Sequence, residues 1–131
     1  MTYQPEDRAA FLSQPRTAVL ATTRGNGQVH AVPVWYAFDG EAFRIITARG
    51  SVKHRNAARS GRATLCVDER DGAYRYVMAE GPVTVQDSVT YDERLALHTL
   101  YRGAERAKEI VDRGGHEKMV LLVLRPERWV S

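Results

Sequence analysis

The sequence has a single cysteine, Cys66, among 131 residues, which excludes an internal disulfide and a multi-cysteine metal site. It also lacks a long hydrophobic run. Val120–Leu124, the longest strongly apolar stretch, is far short of the roughly 20 residues that a membrane-spanning helix needs. The opening Met1-Thr2-Tyr3-Gln4-Pro5-Glu6-Asp7-Arg8 has no apolar core of an export signal, which predicts a cytoplasmic protein without a membrane partner. No phosphate-binding P-loop occurs, and Gly25-Asn26-Gly27-Gln28-Val29-His30 fails the dinucleotide fingerprint at its last position. His30, His54, His98 and His116 lie at no metal-ligand spacing, so no metal is predicted. There is no GxSxG elbow, and Cys66 sits inside an apolar run that predicts a buried, inert thiol. No residue set makes or breaks covalent bonds unaided, so any enzymatic chemistry is expected to come from a cofactor.

What is present is the composition of an ordinary globular domain, 44% hydrophobic and 27% charged. With no repeat, low-complexity tract or linker, residues 1–131 read as one domain. The net charge is only +3, but it is unevenly placed. From Ala42 to Val67 there are six bases (Arg44, Arg49, Lys53, Arg55, Arg59, Arg62) and no acid, where the chain average would put about three acids. This stretch is suited to meet an anion.

Pro5 to Gln14 reads as a short helix with acids in its first turn, stopped by Pro15. Strands follow at Arg16–Thr23, Gln28–Phe38 and Glu41–Ala48, joined by Gly-Asn-Gly and Asp-Gly hairpin turns. Ser51 caps a helix that runs to Ser60 and closes at Gly61. Arg62–Asp68 and Tyr74–Gln86 are strands turned through Arg70-Asp71-Gly72, the second bent or bulged at Gly81-Pro82. Asp87 to Arg113 is helical, with Tyr91/Leu95 and Ala107/Val111 at i,i+4 and a break near Gly103. Lys118–Arg125 is the last strand. Six mostly antiparallel strands with few helices predict a small barrel or sandwich. The second strand is apolar on both faces, Ala31, Pro33, Trp35 and Ala37 against Val32, Val34, Tyr36 and Phe38. One face therefore belongs to the core, and the other needs a cover: a helix, a planar ligand or a second subunit.

The most informative stretch is Thr47-Ala48-Arg49-Gly50-Ser51-Val52-Lys53-His54-Arg55-Asn56. Here a strand turns through glycine into a helix whose first N–H groups and dipole attract an anion. Lys53 and Arg55 add charge, while Thr47, Ser51 and Asn56 add short donors. The plainer alternative is a solvated basic helix face. Pro33-Val34-Trp35-Tyr36 can wall a flat ring system, or can be ordinary core. Pro33, lacking an N–H, marks an edge or bulge.

In order along nearly the whole chain, these pieces resemble the split β-barrel flavin and deazaflavin oxidoreductases related to pyridoxamine 5′-phosphate oxidase. The matching series is Phe11-Leu12, Thr17–Thr22, Pro33–Tyr36, Phe43–Thr47, Ser51–Asn56, Gly61–Leu65, Ala79-Glu80-Gly81 and Leu124–Arg128. The series is most similar to the short branch that uses coenzyme F-420. The resemblance implies a six-stranded antiparallel split barrel, mainly β with peripheral helices, forming a homodimer with the cofactor at the interface. It places the ring along Val34, Trp35 and Tyr36, and the phosphate and ribityl-like chain by Thr47, Ala48, Ser51, Lys53 and Asn56, with Arg49 or Arg55 nearby. It has the partner subunit contribute the strand carrying Tyr74, Tyr76 and Met78, with Tyr76 orienting the acceptor or delivering a proton. The implied activity is hydride transfer from reduced F-420 to a small organic acceptor, and the basic residues suit the coenzyme's glutamyl tail. The alternatives are an FMN enzyme on the same barrel, a non-enzymatic flavin, deazaflavin or haem carrier, and a nucleic-acid binder. The last is disfavoured by the small net charge and by the lack of aromatics interleaved with the basic window.

Overall fold

The computed structural model describes residues 5–69 and 74–131, so the predicted turn Arg70-Asp71-Gly72 lies outside the described residues. The described helices are α1 (Pro5–Leu12), α2 (Val52–Ser60), α3 (Tyr91–Arg102) and α4 (Ala104–Asp112). The strands are β1 (Ala18–Thr23), β2 (Val29–Val34), β3 (Ala37–Phe38), β4 (Phe43–Ala48), β5 (Arg62–Glu69), β6 (Arg75–Gln86), β7 (Met119–Leu124) and β8 (Arg128–Val130). All pairings are antiparallel, in the order β2-β1-β5-β6-β7-β4-β3, with β8 beside β6. The two ends of that order, β2 and β3, are halves of one stretch of chain separated only by Trp35-Tyr36. The sheet thus curls round to meet itself, a mainly β split barrel with its helices outside.

Eight strands appear among the described residues where the sequence predicts six. The run Gln28–Phe38 is interrupted at Trp35-Tyr36, and Arg128–Val130 adds a short strand beyond Pro126. The predicted bend at Gly81-Pro82 is where β6 passes from one half of the barrel to the other. It pairs with β5 as far as Pro82 and with β7 from Val83. Glycine is required there, because a Cβ on Gly81 would stand 2.2 Å from the Arg125 carbonyl oxygen.

The core takes alternate residues from both halves, among them Leu20, Tyr36, Phe43, Ile45, Leu65, Val67, Val77, Leu122 and Leu124. β7 is buried on both faces, since Leu121 and Val123 pack outward with Ala42 and Val89. The second strand divides as its pattern requires, with Val32, Val34, Tyr36 and Phe38 inward. On the outer face one register row, Pro33–Val19–Cys66–Met78–Val130, crosses five strands. Cys66 is therefore half-buried on the outside of the barrel, not enclosed in it, and burial together with Asp68 raises its thiol pKa.

The helical stretch breaks at Gly103 as predicted, but the face of α3 that turns inward is Arg94 and Leu97 rather than Tyr91 and Leu95. A Thr90/Glu93 capping box fixes the start of α3 and so sets this phase. Tyr91 is exposed and donates its hydroxyl to Asp112 of α4 at 2.6 Å. Among the described residues no helix is long and apolar enough to cross a membrane.

Candidate functional site

Between the start of α2, the end of β2 and the inner face of α3 lies a cleft of about 400 Å³. It is lined by Pro33 and Val34 at the end of β2 and Trp35 just beyond it, Ile46, Thr47 and Ala48 from β4, Ser51 and Lys53 from the α2 entry, Arg94, Leu97 and His98 from α3, and Met119. Among the described residues two cations, Lys53 and Arg94, line it and no acid does.

The local sequence builds the α2 end of the cleft. Gly50, at φ +83°, makes the turn out of β4 in a conformation that favours glycine. Ser51 is the N-cap, its Oγ accepting the His54 N–H at 3.3 Å and standing 3.1 Å from Thr47 Oγ1. The His54 ring folds back so that its Nδ1 accepts the Gly50 N–H at 2.9 Å. The intrahelical ladder starts with the Arg55 N–H on the Ser51 carbonyl, so the N–H groups of Val52 and Lys53 precede it. No acid occupies the first turn of α2. Burial lowers the Lys53 pKa, as expected for an ammonium drawn into the cleft without a carboxylate.

The opposite wall is held rigidly. Trp35 stacks on Tyr101 with ring centroids 4.5 Å apart and planes 9° from parallel, and the Arg102 guanidinium lies 4.7 Å from its ring centre. His98 meets Trp35 edge-on at 6.3 Å. Burial, with Arg94 and Arg102 adding repulsion, lowers the His98 pKa, so the imidazole is neutral at pH 7. Arg94 is only 6% exposed and donates to the Gly114 carbonyl at 2.8 Å.

Of the residues singled out in the sequence, the fold brings Val34, Trp35, Thr47, Ala48, Ser51 and Lys53 into this one cleft. The others lie elsewhere. Tyr36 is a fully buried core side chain whose hydroxyl has no hydrogen-bond partner among the described residues and whose pKa burial drives far upward. Asn56 is buried and spoken for, donating to Thr22 Oγ1 at 3.1 Å and accepting from Arg59 at 3.2 Å. Arg49 is exposed and reaches back to the Asp87 and Met119 carbonyls, while Arg55 is exposed on α2. Tyr74, Tyr76 and Met78 do not line the cleft. Met78 belongs to the outer register row, Tyr76 pairs with Asp68, and Tyr74 is 79% exposed with its ring 6.0 Å from that of Tyr76.

The basic window does not form one patch. Arg44 pairs with Asp39, Arg62 lies 3.4 Å from Glu127, and Arg59 bonds the Thr23 carbonyl, while Lys53 is the one basic residue of the window that lines the cleft. The α3 wall, with Arg94, Leu97 and His98, was not legible from composition. The signal that could have found it is Thr90-x-x-Glu93, which sets the phase of the helix.

A family model described as pyridoxamine 5′-phosphate oxidase matches residues 5–131. The chain is 40% identical over 86 residues to the F-420H(2)-dependent biliverdin reductase of Mycobacterium tuberculosis strain CDC 1551 / Oshkosh. That match takes in 64% of this chain and 61% of the relative's length. Among solved structures, the conserved hypothetical protein Rv2991 from Mycobacterium tuberculosis superposes with a TM-score of 0.85 at 26% identity, over 98% of this chain and 84% of that one. A protein described as an F-420 reductase shares the fold, with a TM-score of 0.71 at 23% identity over 92% of this chain and 94% of its own. With the match spanning all but the first four residues and the barrel that goes with it in place, this chain belongs to the pyridoxamine 5′-phosphate oxidase family.

Proposed function

We propose that this protein is an F-420-dependent reductase that passes a hydride from the reduced deazaflavin to a small organic acceptor, and that it works as a homodimer. The observation that carries this reading is the acid-free cleft, where a rigid Val34–Trp35 wall stands across from the hydroxyl pair Thr47/Ser51 and the ammonium of Lys53. These residues fit a phosphorylated ring compound. The wall offers a flat apolar surface, and the α2 entry offers hydroxyls, two N–H groups ahead of the helical ladder and one cation. The F-420H(2)-dependent reductase at 40% identity favours deazaflavin over FMN. When bound, the coenzyme would supply a hydride and react poorly with oxygen.

The chain's own part is to bind, orient and exclude water. Lys53 and Ser51 fix the anionic end, and the stack of Tyr101 and Arg102 on Trp35 keeps the ring wall from yielding. The outer apolar row adjoins the cleft at Pro33, which belongs to both. A second copy seated on that row would carry Tyr74, Tyr76 and Met78 to the interface, with Tyr76 positioned to orient the acceptor or deliver a proton.

Fluorescence titration with F-420, and with FMN and haem in parallel, tests the reading. Wild-type protein is expected to prefer F-420, and Lys53→Ala to weaken it about tenfold or more with little change in Tm, since the lost contact is charge-assisted. Equal F-420 affinity in the variant would remove the α2 site. FMN or haem held more tightly would move the reading to the flavin enzyme or the carrier.

A further inference from the structure

Arg94 is the least expected residue in the molecule. A guanidinium stays charged at any pH a folded protein meets, so burying it without a carboxylate is costly unless something compensates. Arg94 is 6% exposed, and among the described residues it makes no ion pair. Its one side-chain bond to a described residue, to the Gly114 carbonyl, uses one of five N–H donors. It lines the cleft from α3, across from the α2 entry. His98, its neighbour on the cleft lining, brings no negative charge to offset it.

From this we infer a second anion-recognition point in the cleft. Arg94 receives a carboxylate on the acceptor, separate from the α2 entry that takes the coenzyme's phosphate. The acceptor class is then an apolar, planar compound bearing a carboxylate. A mostly apolar recess of about 190 Å³, with Arg44 and Glu93 as its charged lining, adjoins the cleft at Ile46 and Leu97, which line both spaces, and offers room for the apolar body of such a compound. The same chemistry could come from a carboxylate on the coenzyme's glutamyl tail. A long solvated tail, however, leads out of the cleft, whereas a group held inside it meets Arg94 on the lining. The inference rests on the reductase reading only in calling the ligand an acceptor; the carboxylate site stands on the geometry.

Calorimetric titration of the coenzyme-free protein with anthraquinone-2-carboxylate and with its uncharged carboxamide tests this directly. Wild type is expected to bind the carboxylate at least about tenfold more tightly, as a charge-assisted bidentate pair should. Arg94→Gln should erase that preference, and Arg94→Lys should keep part of it. Equal binding of the two probes by wild type overturns the proposal, as does a preference that survives in Arg94→Gln. If Arg94→Gln does not fold, the wild-type comparison and Arg94→Lys decide. F-420 titration of the same proteins separates the sources. Loss of F-420 affinity in Arg94→Gln, with the two probes unaffected, assigns the anion to the coenzyme and overturns the acceptor site. Wild type that binds no F-420 but prefers the carboxylate defeats the coenzyme reading and leaves the Arg94 site standing.

Discussion

The hydroxyl of Tyr101 takes the place of a neighbouring strand for the backbone of Tyr36. It accepts the Tyr36 N–H at 3.0 Å and stands 2.9 Å from the Tyr36 carbonyl and 2.7 Å from that of Arg16, so its single proton serves those two acceptors. This is why the run Gln28–Phe38 can leave the ladder at Tyr36 without orphaning that residue's N–H and carbonyl. It also ties α3 to the cleft wall. Tyr101→Phe keeps the stack on Trp35 but strands those groups, and should cost about 1–3 kcal/mol in urea unfolding. Tyr101→Ala should cost about 0.5–1.5 kcal/mol more, beyond the lost area, through the missing ring pair. A Tyr101→Phe loss below about 0.5 kcal/mol would show that the hydroxyl holds nothing together.

The barrel was legible because its signals are local. Gly-Asn-Gly and Asp-Gly mark the hairpins, Ser51 and Gly61 bracket α2, and Gly81 marks the point where β6 changes partners. The α2 half of the cleft was legible for the same reason, since cap, turn and cation lie within seven residues, Thr47 to Lys53. Its other half depends on which face of a distant helix turns inward. Arg94 reads as a solvent-facing charge until the capping box is used to set the helix phase. Tyr36 and Asn56 failed in the opposite sense. Each is the right residue type beside the site, but strand alternation and helix phase turn both side chains into the interior.

Lys53 should oppose stability while serving binding. Burial holds its pKa below the ordinary lysine value. Between the two values the unfolded chain holds more protons, so stability rises with pH across that window, and below it the cost of the enclosed charge is fully present. Lys53→Met should therefore unfold at the same or a higher urea concentration at pH 7, and should lose the gain in stability as pH climbs toward about 10. A variant clearly weaker than wild type at pH 7 would mean that Lys53 is structural.

His98 gives the complementary acid limb. Its pKa is lowered by burial first and then by Arg94 and Arg102. Well above the ordinary histidine value of about 6.5 both states are neutral and there is no cost. As pH falls through the window below that value the unfolded chain takes up the proton first, so stability drops. His98→Gln should flatten that limb in urea midpoints. Arg94→Gln should raise the His98 midpoint followed by proton NMR. An unchanged midpoint would show that the two side chains do not sense each other.

The outer row Pro33–Val19–Cys66–Met78–Val130 sets the last test, because it is a continuous apolar strip whose residues are exposed or half-buried. Val19, 40% exposed, stands in the row between Pro33 at the cleft and Cys66. In a two-fold interface any residue near the axis meets its own copy, so Val19→Glu would place two like charges in an apolar contact. Sedimentation should show a dimer for wild type and a monomer for this variant, with little change in monomer unfolding, because an exposed position leaves the core intact. Cofactor affinity should fall with dimerisation, because the strand bearing Tyr74, Tyr76 and Met78 would no longer be supplied by a partner. A monomeric Val19→Glu protein that binds F-420 as tightly as wild type would show that each chain's cleft is complete by itself.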